Sequence, residues 1–127
     1  MRNRFKEDNN GSGIALKDVC KLLDGEIVCC EDKADKEVRT AFGCDLMSDV
    51  LAFSKPGSVL LTGLINTQTI RTAEMLDLAA IVFVRSKKPD DAMIKMAKNL
   101  NIVLMLSPYP LFESCGKLFV AGLRGCG

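Results

Sequence analysis

The sequence predicts a single α/β domain, in which a mostly parallel central sheet is built from βαβ units and flanked by helices. Three runs are continuously apolar or β-branched, as expected of strands covered on both faces: Ser58–Thr62, Ala80–Val84 and Ile102–Leu106. Apolar residues with helical spacing follow each run, over Thr67–Leu78, Pro89–Asn99 and Pro110–Leu123. Strands that alternate with helices in this way call for right-handed crossovers and therefore for parallel pairing.

The N-terminal half is predicted to add two helices and two extended segments that extend or cap this sheet. Apolar residues share one helical face from Ile14 to Leu23, and Asp24-Gly25 ends that helix. Glu26–Cys30 and Glu37–Phe42 have the composition of extended segments. A second helix ends at Lys55-Pro56-Gly57 and carries an apolar stripe made of Leu46, Met47, Val50, Leu51 and Phe53.

Residues 1–13 are polar and lack periodicity, so they are predicted to form a flexible tail ahead of a domain at 14–127. The segment has no apolar core of a signal peptide, and no run approaches the roughly 20 apolar residues that cross a bilayer. We therefore expect a cytoplasmic protein without a membrane partner.

The charges of the chain balance, with 17 basic against 16 acidic residues and a net charge of +1. Such a chain has no long-range field that would attract nucleic acid. Aromatic residues make up 6% of the sequence and Trp is absent, so a base-stacking surface is not expected either. Nucleic acid is therefore not the expected partner.

The six cysteines are interpreted as reduced, partly buried thiols, because 48% of the residues are hydrophobic and a disulfide framework is not needed. The chain has no His and no C-x-x-C pair, so we expect no metal and no other cofactor. The side chains of the adjacent Cys29 and Cys30 are predicted to point to opposite faces of a strand. A thiol-based redox or metal module stays open as a third functional class.

Two turns follow predicted strands at their carboxyl ends, where α/β sheets usually bind ligands. In the first turn, Gly63 allows close approach of the backbone, and Asn66 or Thr67 can cap the next helix beside N–H groups that favour an anion. In the second turn, Arg85, Lys87 and Lys88 are suited to hold a phosphate or a carboxylate. These residues predict a site for a small anionic ligand, and an ordinary capped turn beside a solvated loop is the structural alternative.

Tyr109 is the only tyrosine and lies in the turn Ser107–Pro110, where the third apolar strand leaves the sheet. Its ring is expected either to line a pocket or interface, or to cover the core in a rigid turn. Phe112, Cys115 and Leu118 have the spacing of a buried helical stripe. The stripe of residues 44–53 is predicted to be buried or to form a dimer face, and we expect a homodimer.

The sequence from Ser58 onward resembles the DRTGG domain family. The matching pattern is a strand that ends in Gly63, a helix, a strand that enters the turn Val84–Asp91, another helix, and then IVLMLSPYPLFESCGKL. Its most specific pieces are the Ser107-Pro108-Tyr109 turn and the helix that follows. Upstream the resemblance extends through Phe42–Leu51, so that it covers most of residues 14–124.

The resemblance implies an α/β accessory module that self-associates. Such modules occur inside some phosphotransacetylases, between the CBS domains of some inorganic pyrophosphatases, and in similar form as the N-terminal domain of HPr kinase/phosphorylase. Stand-alone versions occur in anaerobic bacteria, often encoded near iron-hydrogenase subunits. This chain departs from the family in two turns: Gly63-Leu64-Ile65-Asn66-Thr67 replaces a Gly-Asp-Arg-Thr-like turn, and Arg85-Ser86 replaces frequent paired glycines. An activity that rests on that Asp or Arg is therefore not transferred.

Catalysis is not expected, because the chain has no His, no G-x-x-x-x-G-K-[ST] loop and no G-x-S-x-G motif. Asp45 and Asp49 are the nearest approach to a carboxylate pair and are predicted to face solvent. The leading hypothesis is a regulatory or sensory module that binds a small anionic ligand such as a nucleotide, or docks onto a partner enzyme, with a link to anaerobic hydrogenase metabolism implied by the resemblance. A phosphoryl-transfer enzyme or a kinase accessory subunit is the alternative.

Overall fold

The computed structural model describes residues 13–126, which form eight strands and five α-helices. The strands are β1 (Ile14–Ala15), β2 (Glu26–Cys29), β3 (Glu37–Val38), β4 (Thr40–Gly43), β5 (Val59–Thr62), β6 (Ala80–Phe83), β7 (Val103–Leu106) and β8 (Arg124–Gly125). The helices are α1 (Leu16–Leu22), α2 (Met47–Phe53), α3 (Thr67–Met75), α4 (Asp91–Leu100) and α5 (Leu111–Val120). Apart from Gly13, the predicted tail lies outside the described residues. Within 13–126 there is no helix with the length and apolar character that crossing a membrane requires.

Six strands form one sheet in the order β2-β7-β6-β5-β4-β8. Each neighbouring pair is parallel except β2 with β7, which is antiparallel. β1 and β3 pair with each other outside this sheet, so the extended stretch predicted for Glu37–Phe42 is divided between two sheets. The mostly parallel central sheet with flanking helices is confirmed, and the structure supplies its strand order.

The direction of each crossover explains which helix covers which face of the sheet. β4 to β7 lie side by side in chain order, and their connections α2, α3 and α4 share one buried cluster through Val50, Ile70 and Ala97. α5 leads from β7 back to β8, on the far side of β4, and shares the second cluster with α1 through Leu118 and Val19. Because parallel crossovers are right-handed, a connection that reverses its direction along the sheet lands on the opposite face.

The central strands β5, β6 and β7 contribute alternate side chains to the two clusters. The first cluster contains Leu60, Ile81 and Leu104, and the second contains Leu61, Val82 and Met105. All six side chains are inaccessible to solvent. The continuous apolar runs are therefore strands covered on both faces, as predicted.

Three further elements differ from the sequence prediction. Ile14 and Ala15 form β1 rather than the start of a helix, because they pair with Glu37–Val38. α4 does not start at Pro89, because Asp90 is its N-cap and accepts a hydrogen bond from the Met93 N–H at 2.9 Å. β8 has no counterpart in the prediction, since a strand of two residues has no detectable periodicity.

Candidate functional site

The carboxyl ends of β6 and β7 lie side by side, and the chain leaves them toward opposite faces of the sheet. After β6 it turns to α4 on the face of the first cluster, and after β7 it turns to α5 on the face of the second. In open α/β sheets, ligands bind in the crevice outside adjacent strands whose connections diverge in this way. The turns at 84–90 and 107–110 therefore form the candidate site, which we call the switch point.

Backbone hydrogen bonds join the two turns of the switch point at their base. The Arg85 N–H donates to the Tyr109 carbonyl at 2.9 Å, and the Ser86 N–H donates to the Ser107 carbonyl at 2.7 Å. Arg85 and Ser86 reach this geometry with φ of 57° and 53°, in the left-handed region that glycine adopts readily. Arg85 and Ser86, where domains of the DRTGG family often have paired glycines, thus have the backbone conformation that favours glycine.

Ser86→Gly is expected to raise the free energy of unfolding by about 0.5–1 kcal/mol. The relief of about 1–2 kcal/mol of left-handed strain exceeds the added backbone entropy of glycine in the unfolded chain. The same substitution at Ser48, in the first turn of α2, is the control and should lower stability by up to about 0.5 kcal/mol. Urea denaturation of the two variants measures both changes, and a loss of stability in Ser86→Gly would contradict the strain at this turn.

Three cationic side chains are exposed at the switch point, those of Arg85, Lys87 and Lys88. Among residues 13–126, no acidic side chain forms an ion pair with any of these three. The three positive charges therefore face solvent on a turn whose backbone is held in place, which is the arrangement that an anion requires.

The turn after β5 already contains a carboxylate from another part of the chain. Oδ1 of Asp45 accepts hydrogen bonds from the Gly63 N–H at 2.7 Å and from the Thr62 hydroxyl at 2.8 Å. Asp45 is exposed as predicted, but the sequence does not indicate these two bonds. They arise because Asp45 follows β4, which is the neighbour of β5 in the sheet.

The same turn leads into α3 through a side-chain cap. Asn66 accepts a hydrogen bond from the Thr69 N–H at 3.1 Å, which confirms its predicted capping role, and Thr67 is the first residue of the helix. The Gly63 and Thr69 N–H groups are thus engaged within the protein. The three exposed cations lie on the neighbouring turn, after β6.

Tyr109 connects the switch point to two other parts of the molecule. Its hydroxyl donates to the carboxylate of Asp24, which lies between α1 and β2, and the Lys117 Nζ lies 4.5 Å from the centre of its ring. The Tyr109 carbonyl accepts from the Arg85 N–H and from the Ser114 hydroxyl. The tyrosine therefore supports the turn that carries Arg85, and sequence reasoning missed Asp24 and Lys117 because nothing in their local spacing links them to it.

The hydrogen bond to Asp24, followed by partial desolvation and the charge of Asp24, raises the pKa of the Tyr109 phenol. The raised pKa means that this contact contributes stability below the ordinary phenol pKa of about 10, and that the contribution is lost as the pH rises through the raised value.

Because the chain has one Tyr and no Trp, tyrosinate absorbance reports Tyr109 alone. We expect a titration midpoint above about 10, and Asp24→Asn should return it toward that value. Equal midpoints in the two proteins would contradict the contact.

α5 exposes an apolar surface that the sequence does not predict. Phe112, Phe119 and Val120 are 88%, 54% and 87% exposed, whereas Leu118 is buried. The predicted stripe is wrong for Phe112, because the buried side of α5 contains Ser114 and Leu118 and the ring lies on the adjacent flank.

Beside this flank, a cleft of about 350 Å³ separates α5 from β4 and β8. Cys115 is half-buried there, and its Sγ occupies the space that a Cβ on Gly43 would need. The cleft is lined mainly by apolar groups and includes no residue of the two switch-point turns. The apolar cleft and the cationic turns are thus separate features.

The second predicted stripe, on α2, is divided between the core and the surface. Met47 and Val50 are buried in the first cluster, whereas Leu46, Leu51 and Phe53 are 57%, 42% and 56% exposed. Burial is therefore confirmed for part of the stripe, and the dimer face stays a prediction for the exposed residues. The inner side of α2 is core, and its outer side is available for contact.

No disulfide joins the six cysteines, and the placement of two of them corrects a prediction. All six cysteines are free, and among residues 13–126 the Cys, Asp and Glu side chains form no group of three or more placed to bind a metal. Cys29 and Cys30 do not point to opposite faces, because their Sγ atoms are 3.4 Å apart. Cys30 lies beyond the end of β2 and has a φ of 62°, so the alternation of a strand does not extend to it.

The fold and the switch point together define a class, that of α/β domains with diverging connections at the carboxyl edge of a parallel sheet. Comparison with family models and with curated proteins finds no match to this chain. A similar solved structure is the crystal structure of the CBS and DRTGG domains of the regulatory region of Clostridium perfringens pyrophosphatase, complexed with the activator diadenosine tetraphosphate.

That structure is matched with a TM-score of 0.69 and 17% sequence identity, over 86% of this chain and 47% of that chain. The chain therefore spans about half the length of the protein it matches. At this identity the similarity shows a shared fold. Membership of the DRTGG family remains a prediction from the residues.

Proposed function

We propose that this protein is a non-catalytic regulatory module of the DRTGG type, which binds a small anionic ligand of the nucleotide class at the switch point. The observation that carries the proposal is the set of three exposed cations on the turn after β6, beside the end of β7, which have no acidic partner among residues 13–126. The shared fold with a regulatory region that was crystallised with a nucleotide activator supports it.

Arg85 and Lys87 would bind the ligand's phosphate in different ways. The planar guanidinium of Arg85 offers two parallel N–H donors, whereas the ammonium of Lys87 acts as a mobile point charge. The carboxylate of Asp45 would repel a phosphate placed over Gly63. We therefore expect the phosphate to contact the turn after β6. Asn66 and Thr67 would line the neighbouring side of the site, and Tyr109 would support the turn.

Docking is the second part of the proposed function. The exposed apolar residues of α5 and the outer side of α2 support an interface with a second copy of the chain or with a partner enzyme. The resemblance suggests an enzyme of anaerobic hydrogenase metabolism as that partner. In this role the module would signal to its partner that the ligand is bound, through direct contact rather than through catalysis of a reaction.

A thermal-shift measurement on the full chain tests the ligand site. The probes are ATP, diadenosine tetraphosphate and acetyl phosphate, each at saturating concentration. A ligand at a hundred times its dissociation constant adds ~2.7 kcal/mol, which is a shift of several degrees for a domain of this size. No shift with any of the three probes would contradict the proposed ligand class.

Variants locate the site on the chain. The double substitution Arg85→Ala with Lys87→Ala should raise the dissociation constant by about 100-fold or more, because each charge-assisted hydrogen bond contributes about 1.5–3 kcal/mol and 1.4 kcal/mol corresponds to a factor of ten. Arg71→Ala with Lys95→Ala removes the same charge from exposed residues of α3 and α4 and should leave binding nearly unchanged. Equal loss in both double variants would show a diffuse charge effect and would overturn the switch point as the site.

A further inference from the structure

Two thiols lie in contact at the end of β2. The Sγ atoms of Cys29 and Cys30 are 3.4 Å apart, within the range of an S–H···S hydrogen bond. The register of β2 against β7 shifts between Ile27 and Cys29, and Cys30 then adopts a left-handed backbone. These two local departures from a regular strand bring adjacent side chains together, which an extended strand would separate.

The two cysteines differ in their access to solvent. Both contact α4, with Cys29 Sγ 3.8 Å from the Ile94 carbonyl oxygen and Cys30 Sγ 3.8 Å from that of Ala97. Cys29 is 4% exposed, whereas Cys30 is half-buried. A reagent therefore reaches the pair through Cys30.

The chemistry of the thiols follows the same asymmetry. Burial, and after it the hydrogen bond to Cys30, raises the pKa of the Cys29 thiol to about 12. Cys29 is therefore protonated at neutral pH and is a poor first nucleophile, since the thiolate is the reactive form. The attack on an incoming reagent falls to Cys30.

We propose that Cys29 and Cys30 are a reversible dithiol–disulfide pair that reacts with small-molecule disulfides. Cys30 first loses its proton to solvent, and its thiolate then attacks one sulfur of the disulfide, which forms a mixed disulfide and releases one thiolate. Cys29 passes its proton to that thiolate, and its sulfur attacks the Cys30 sulfur and displaces the second thiolate, which takes a proton from solvent. One small disulfide is thus reduced to two thiols while the two cysteines are oxidised, independently of the ligand site.

The disulfide so formed is labile rather than structural. Adjacent Cα atoms are about 3.8 Å apart across a trans peptide, below the usual minimum of about 4.4 Å for a disulfide, so the bond is strained and readily reduced. It also closes no chain loop, and therefore it does not restrict the unfolded state as a long-range disulfide does. Oxidation is expected to lower the melting temperature rather than raise it.

The experiment treats the reduced, folded full chain with excess glutathione disulfide and then blocks free thiols with iodoacetamide. Trypsin releases a peptide of residues 22–33 that holds Cys29 and Cys30 and no other cysteine. We expect this peptide unalkylated and lighter by two hydrogens than the dithiol, with full reversal by dithiothreitol. Two alkylated cysteines, or a glutathione adduct that persists on Cys30, would overturn the proposal.

Variants and a melting curve distinguish the reaction of the Cys29–Cys30 pair from general reactivity of the other thiols. Cys30→Ser should leave Cys29 unmodified, and Cys29→Ala should stop the reaction at the glutathione adduct of Cys30. Cys115→Ser, at another half-buried thiol, is the control and should leave the conversion of the 22–33 peptide unchanged. A rise in the melting temperature of the oxidised wild-type chain would overturn the labile character of the bond.

Discussion

Replacing Phe83 with alanine is expected to lower the free energy of unfolding by about 3–5 kcal/mol. The ring is inaccessible to solvent and lies in the first cluster, at the end of a strand that has paired neighbours on both sides. Removing the ring loses the free energy of its burial and leaves a cavity that the sheet cannot close by local movement. Denaturant titration with a constant m-value measures the loss.

Phe112→Ala is the matched control, because it makes the same change on a side chain that is 88% exposed. We expect a change within about 0.5 kcal/mol. A loss comparable to that of Phe83→Ala would contradict the packing of α5. A loss that grows with protein concentration would instead show that a second copy covers this face, in agreement with the proposed homodimer.

Asp45→Ala should destabilise the protein by about 1–3 kcal/mol through the turn after β5. The carboxylate accepts from the Gly63 N–H and from the hydroxyl of Thr62, and the Thr62 side chain is inaccessible to solvent. Without Asp45 that hydroxyl keeps a donor with no acceptor, and the cost of a buried unsatisfied group exceeds the net value of an average hydrogen bond.

Two further variants distinguish this effect from a change of charge. Asp45→Asn retains an acceptor oxygen and should lose less than Asp45→Ala in chemical denaturation. Asp49→Ala removes a carboxylate from the first turn of α2 and should cost about 0.3–1 kcal/mol through the helix dipole. Equal losses in Asp45→Ala and Asp49→Ala would show that the bonds to the β5 turn contribute nothing.

Local patterns in the sequence were sufficient for most of the elements. The runs that became β5, β6 and β7 are continuously apolar because both of their faces are covered, and that requirement is visible without a structure. The cap at Asn66 is also local, since donor and acceptor are three residues apart. The sequence by itself therefore determined the fold class, the central strands and the start of α3.

The tertiary structure decided which of these elements meet. The strand order places the turns after β6 and β7 together, and the divergence of their helices depends on the direction of each crossover. Asp45 and Gly63 are 18 residues apart, and Tyr109 and Asp24 are 85 apart, so periodicity over a few residues contains no information about either contact. Local patterns also failed for Phe112 and for the Cys29–Cys30 pair. The exposure of Phe112 depends on what packs beside its helix, and the contact between the two cysteines depends on a single left-handed residue, Cys30.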